Sequence, residues 1–167
     1  MADTLSRYEQ PGAEALAEVM RAIFEPLVEA VYSQGGFVVG YAGDAFTAIF
    51  TEQPDRDPAV LRCLDAAVRM QAHVHDQPMA ETPFGEYPMF IKVGISFGDA
   101  SWKILESSKG ERATYCMRGS SVDGAVEAEG CARPGETFAD KQAYEYLQDV
   151  VNGQLMDGCY RLTNVRA

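Results

Sequence analysis

With 167 residues, of which 47% are hydrophobic and 23% charged, the chain has the makeup of one soluble globular domain and is short for two. A formal net charge of −11 repels phosphate backbones and anionic membranes, which argues against nucleic-acid binding. No apolar run approaches the ~20 residues of a membrane span, the start "MADTLSRYEQ" lacks a secretion signal, and Cys63, Cys116, Cys131 and Cys159 form no CxxC pair, so the expectation is a cytoplasmic protein with free thiols and neither a zinc site nor a disulfide framework.

Apolar residues at Leu16, Val19, Met20, Ile23, Phe24, Leu27, Val28 and Val31 trace one face of a helix over 12–34, stopped by Gly35-Gly36 and bent at Pro26. "GGFVVGYAGDAFTAIF" follows. Its two runs, Phe37 to Tyr41 and Ala45 to Phe50, flank Gly43-Asp44 and predict a hairpin. Pro58 is placed to open a second helix carrying Val60, Leu61, Leu64, Ala67, Val68 and Met70, which fades into "HDQPMAETPFGEYP", a loop by its prolines and glycine.

"MFIKVGISFGDAS" alternates and then turns at Gly98-Asp99 into "WKIL", which predicts a second hairpin. "ERATYCMRG" reads as a strand, "SSVDGAVEAEGCA" as a short helix, "RPGETFAD" as a turn and strand, "KQAYEYL" as a helix, and "GQLMDGCYRLTNV" as a closing hairpin around Asp157-Gly158. Strands in runs between helices predict an α+β fold with an antiparallel-rich sheet covered by helices on one side. With no repeat, low-complexity segment or linker, residues 1–167 are expected to form one domain.

Four stretches in this order, "GAEALAEVMRAIFEPLVEAV", "GGFVVGYAGDAFTAIF", "VGISFGDASW" and "TYCMRGSSVDGAVEAEGCARPGETFAD", resemble the class III nucleotidyl cyclase catalytic domain of adenylyl and guanylyl cyclases. "YAGDAF" and "SSVDGAVEAEGCA" are most similar to the first cyclase-type domain of the bicarbonate-responsive soluble adenylyl cyclases and their bacterial relatives. The resemblance implies a ferredoxin-like βαββαβ core with additional C-terminal strands and helices. It also implies pairing, as a homodimer or as a heterodimer with another cyclase-type domain, with a nucleoside triphosphate and Mg2+ or Mn2+ held between the partners. The diguanylate cyclase signature Gly-Gly-Asp/Glu-Glu-Phe is not matched by "AGDAF".

By that resemblance, Asp44 falls on the second of the family's two metal aspartates. Carboxylate oxygens suit such hard cations, and two ions can activate an attacking ribose hydroxyl and neutralise the departing pyrophosphate. The other metal aspartate belongs to an Asp-Ile-x-Gly-Phe-Thr strand ahead of the first helix, and Met1 falls past that strand, so the first core strand is expected to be absent from this chain. The family's base-recognition positions fall on Gly40 and Cys116, and its catalytic Asn and Arg positions on Asp123 and Glu127. A carboxylate in place of a cation beside a triphosphate turns attraction into repulsion.

Two functional readings result, together with a third from another class. A domain of this kind is a catalytically impaired module for pairing or regulation in cyclic-nucleotide signalling, or the metal-bearing half of a heterodimeric enzyme making cyclic AMP from ATP. The third is a small-molecule-sensing module on the same fold. Plainer readings stand beside the site residues: Asp44 as a turn former, Asp99 as another, Cys116 as a small strand residue, and Asp123, Glu127 and Glu129 as a solvated helix face. His73 and His75, two apart, do not share a helical face, and Trp102 fits a core or a dimer face better than a base-stacking platform.

Overall fold

The computed structural model describes residues 9–106 and 113–165. The chain divides into two compact units, one up to Ile91 and one from Lys92 onward. Both mix helices and strands, so the α+β expectation holds.

In the first unit, helix α1 (Glu9–Ser33) runs through Pro26 without interruption and buries Ala15, Val19, Leu27, Ala30 and Val31. It packs on α2 (Ala59–Asp76), whose Val60, Leu64, Ala67, Met70 and Val74 are buried at the complementary spacing. Pro58 sits just outside α2 in extended conformation and has no side-chain acceptor to offer. Glu52 caps the helix instead, both carboxylate oxygens accepting from the Ala59 N–H at 3.2 Å, where a negative charge also suits the helix dipole.

Between the helices lies the hairpin of β1 (Phe37–Ala42) and β2 (Ala45–Ile49), as the sequence predicts. Arg62, almost wholly buried on α2, ties the surrounding chain together. Its guanidinium donates to the carbonyls of Asp57 (2.9 Å), Gln34 (2.9 Å), Gly35 (3.4 Å) and Thr51 (2.5 Å). The end of α1 and the β2–α2 connection are thus held by a single cation.

The segment read as a proline-rich loop contains another hairpin, β3 (Met79–Thr82) with β4 (Gly85–Pro88). Thr82 makes the turn: its hydroxyl donates to the Gly85 carbonyl at 2.9 Å and accepts from the Phe84 N–H at 3.1 Å.

In the second unit, β5 (Val93–Ile95), β8 (Thr137–Ala139), β10 (Cys159–Val165) and β9 (Val151–Met156) form a four-stranded sheet in the order β5-β8-β10-β9. Only the β5–β8 ladder is parallel. This corrects the hairpin expected around Gly98-Asp99. Strand β6 (Ser101–Glu106) pairs with β7 (Ala113–Arg118), while β5 pairs with β8. The Asp99 carbonyl serves another purpose, accepting from the N–H (3.3 Å) and hydroxyl (3.1 Å) of Ser121 at the start of α3 (Ser120–Cys131).

Helix α3 lies directly on β5. A Cβ at Gly94 would stand 2.2 Å from the Ala125 carbonyl oxygen and 2.4 Å from the Glu129 nitrogen. The core gathers Ile95, Ala128, Phe138, Ala139, Leu147 and Val151, the last two from α4 (Lys141–Leu147) and β9. Tyr144 of α4 stacks on Tyr160 with ring centroids 4.0 Å apart, above Gly153, where any side chain would meet the ring. β9 and β10 close around Asp157-Gly158, as read from the sequence.

Candidate active site

Asp44 stands at the tip of the β1–β2 hairpin. Ala42 pairs with Ala45, leaving a two-residue turn, and Gly43 alone takes the positive φ, 63°. Glycine first in the turn is the type II′ pattern, whose twist matches that of the strands it joins. The hairpin is anchored to α1 by an aromatic triangle. Phe24 lies 5.7 Å from Tyr41 and 5.8 Å from Phe46, and those two rings are 6.2 Å apart, distances at which edge-on contacts are favourable. The Asp44 carboxylate is therefore an exposed acid on a well-fixed turn.

Gly40 belongs to the same hairpin. It pairs with Thr47 immediately after a register shift between Val38 and Gly40, a bulge in the ladder. Since successive strand residues alternate faces, Gly40 lies on the face opposite Tyr41 and the aromatic triangle. A bulge re-aims the residues beyond it, and at position 40 there is no side chain to be aimed.

Cys116 lies exposed on β7, directly across from Lys103 of β6. The two side chains share one face of that hairpin, which gives the thiol a cationic neighbour. Sequence reading missed Lys103, because only the β6–β7 register brings it beside Cys116. On the other face stand Trp102, opposite Met117, and Ile104. Trp102 is 70% exposed and Ile104 64%, so Trp102 is not a core residue.

Asp123 and Glu127 are both exposed and one turn apart on α3, so their carboxylates line one stripe. The expected third member, Glu129, points elsewhere: it pairs with Lys92 at 2.7 Å. The start of α3 is fixed by Gly119, whose φ of 144° and close approach to the Asp99 carbonyl admit no side chain. Beneath the helix, Gly124 leaves room for a bond from the Ser96 hydroxyl to the Asp140 carboxylate. Asp140 also caps α4, accepting from the Ala143 N–H at 2.7 Å. This second carboxylate beside α3 was legible as the aspartate preceding "KQAYEYL", a helix-start signal.

Among the described residues, no three His, Cys, Asp or Glu side chains gather as a metal would require. Asp44 supplies one hard oxygen ligand by itself, and His73 and His75 remain on the last turn of α2. The described residues of this chain alone do not fit a two-metal centre.

Neither a sequence-family model nor a curated protein sequence matches the chain. Solved structures do. The guanylate cyclase domain of RhGC from Catenaria anguillulae, in complex with GTP, is 16% identical with a TM-score of 0.75, over 92% of this chain and 86% of that one. The chain has the class III nucleotidyl cyclase fold. The same superposition holds for the guanylyl cyclase Cya2, at 20% identity and TM-score 0.74 over 92% of this chain and 82% of its own. It holds too for the adenylyl cyclase CyaB from P. aeruginosa, at 18% identity and TM-score 0.73 over 99% and 89%. No described helix is long and apolar enough to cross a membrane.

Proposed function

We propose that this chain is a cyclase-type domain, a single domain over its 167 residues, that does not cyclise a nucleoside triphosphate on its own and acts by pairing in cyclic-nucleotide signalling. The observation that carries the reading is the stripe on α3, where two exposed carboxylates, Asp123 and Glu127, stand at the positions that the resembled family fills with Asn and Arg. Transition-state charge on a transferring phosphoryl group is stabilised by donors and cations, and acceptors of negative charge oppose it. Gly40 supplies no base-reading group, and the Cys116 thiol is a weak one. Pairing is supported by Trp102 and Ile104, large apolar side chains left exposed on one face of the β6–β7 hairpin.

A second reading has its own observation in favour: the Asp44 turn keeps an exposed carboxylate on a rigid anchor. In a heterodimer, a partner domain would supply the Asn, the Arg and the base reader, and Asp44 would contribute to holding Mg2+ or Mn2+. Sedimentation across a wide concentration range tests pairing, and a strict monomer at high concentration would contradict it. Mixing the chain with a class III domain that retains its own Asn and Arg but lacks its metal aspartates separates the two readings. Cyclic AMP made only in the mixture, and lost with Asp44→Ala, would establish the half-enzyme; no product with complex formation supports the non-catalytic partner.

A further inference from the structure

The four cysteines are not equivalent. Cys63 and Cys116 stand apart on α2 and β7, whereas α3 ends at Cys131 and β10 begins at Cys159. Cys159 is buried in an apolar cluster with Ala128, Ala132 and Phe138, and half-buried Cys131 packs against that cluster. Cys131 and Cys159 thus meet in one packed cluster, where the end of α3 is in contact with β10. The Cys131 thiol also donates toward the Asp157 carbonyl oxygen at 3.9 Å. Asp157 and Gly158 form the tight turn into β10, both at positive φ (50° and 89°), so the sulfur rests against a well-defined piece of backbone.

We propose that Cys131 and Cys159 are a reversible redox pair, an oxidation site at which a peroxide joins the end of α3 to the start of β10. Cys131 is the more accessible sulfur and meets the oxidant first. Cys159 is buried, and burial first, then the neighbouring Cys131 thiol, push it up to about 11, so it is the slower nucleophile and the second sulfur to react. In the first step the Cys131 thiolate attacks a peroxide oxygen, the O–O bond breaks, and the departing hydroxide takes up the proton that Cys131 released. Water leaves and Cys131 becomes a sulfenic acid. The Cys159 sulfur then attacks the Cys131 sulfur; the S–O bond breaks, and hydroxide leaves with the Cys159 proton as a second water. Two thiols have lost two electrons and two protons, and hydrogen peroxide has become two waters.

A disulfide, with its sulfurs ~2.05 Å apart, would join the last residue of α3 to the first residue of β10. The consequence falls on the candidate site. Cys131 follows Glu127 by one turn and Asp123 by two, so the bond would pin the stripe that carries both carboxylates.

The test is to treat the reduced 167-residue chain with hydrogen peroxide, block free thiols with N-ethylmaleimide, digest, and map peptides by mass spectrometry. The expected result is loss of two hydrogens in a Cys131–Cys159 cross-linked peptide, reversed by dithiothreitol, with a thermal midpoint several degrees higher in the oxidised form. C116S should leave the cross-link unchanged, and C131S, altering a half-buried position, should abolish both cross-link and midpoint shift. Sulfinic acid building up on Cys131 beside a free Cys159, or a cross-link running instead to Cys63 or Cys116, would overturn the proposal. The peptide map of the unsubstituted chain distinguishes these outcomes without relying on either variant.

Discussion

Replacing Gly94 by alanine tests how α3, and with it the Asp123–Glu127 stripe, is held. The added Cβ would stand 2.2 Å from the Ala125 oxygen, 2.4 Å from the Glu129 nitrogen and 2.9 Å from the Glu129 Cα. All three are helix backbone, so no rotamer change relieves them. Ordinary contact begins beyond 3.4 Å, so the helix must retreat by about 1 Å or the strand must bend. Retreat loosens Ala128, which is wholly buried, and lengthens the 2.7 Å Lys92–Glu129 pair. Overpacking of this kind costs about 1–3 kcal/mol and more when backbone is the obstacle, so we expect about 3 kcal/mol in urea unfolding. Gly130→Ala is the internal control, since nothing lies within 4 Å of its Cβ and alanine is the better helix former. It should leave stability unchanged or raise it by up to ~1 kcal/mol. A Gly94→Ala loss below about 0.5 kcal/mol, or a larger loss for Gly130→Ala, would refute the close-contact argument.

Other outcomes follow from single side chains. Arg62→Met keeps an unbranched stem in place of the arginine's and removes its donors, leaving the carbonyls of Gln34, Gly35, Thr51 and Asp57 without their shared partner. Because removal of the buried cation offsets part of that loss, urea unfolding should show about 2–4 kcal/mol of destabilisation. Asp140→Ala removes the α4 cap and the acceptor of the Ser96 hydroxyl, for about 1–2 kcal/mol, and Asp140→Asn should recover part of it. Desolvation pushes the Cys63 thiol up to about 12 from 9.0, against the lowering effect of the Arg62 cation. Burial likewise raises Cys159 to about 11. Above pH 9 the unfolded chain loses these protons while the folded chain keeps them, so stability should fall from about pH 9 to about 12 in alkaline melts. Exposed Cys116 should be alkylated first, and a rate for Cys63 equal to that of Cys116 would contradict the desolvation.

The elements that could be read from the chain are those specified by neighbouring residues. α1 and α2 show their buried faces at helical spacing, and Gly43-Asp44 and Asp157-Gly158 carry turn chemistry within two residues. The β5 pairing could not be read this way. Three residues are too few for a pattern, their partner β8 lies beyond two further strands and a helix, and Gly98-Asp99 imitates a hairpin turn while serving the start of α3. Prolines concealed the β3–β4 hairpin because Pro88 ends its strand at the open end of the ladder, opposite Met79, where proline is tolerated. Of the candidate site residues, Asp44 and Gly40 stand on the hairpin read for them, Cys116 on its strand, and Asp123 and Glu127 on their helix. Lys103 became visible only through cross-strand register, and the shared cluster of Cys131 and Cys159 only through tertiary packing.

The most direct measurement of the central claim is a cyclisation assay on the purified chain alone, with Mg2+ or Mn2+ and either ATP or GTP. The account predicts no cyclic nucleotide above the protein-free blank for any of the four combinations, because on the proposed reading the α3 stripe presents carboxylates where developing phosphate charge needs a cation. Cyclic AMP or cyclic GMP formed by the chain alone, and abolished by Asp44→Ala, would contradict it.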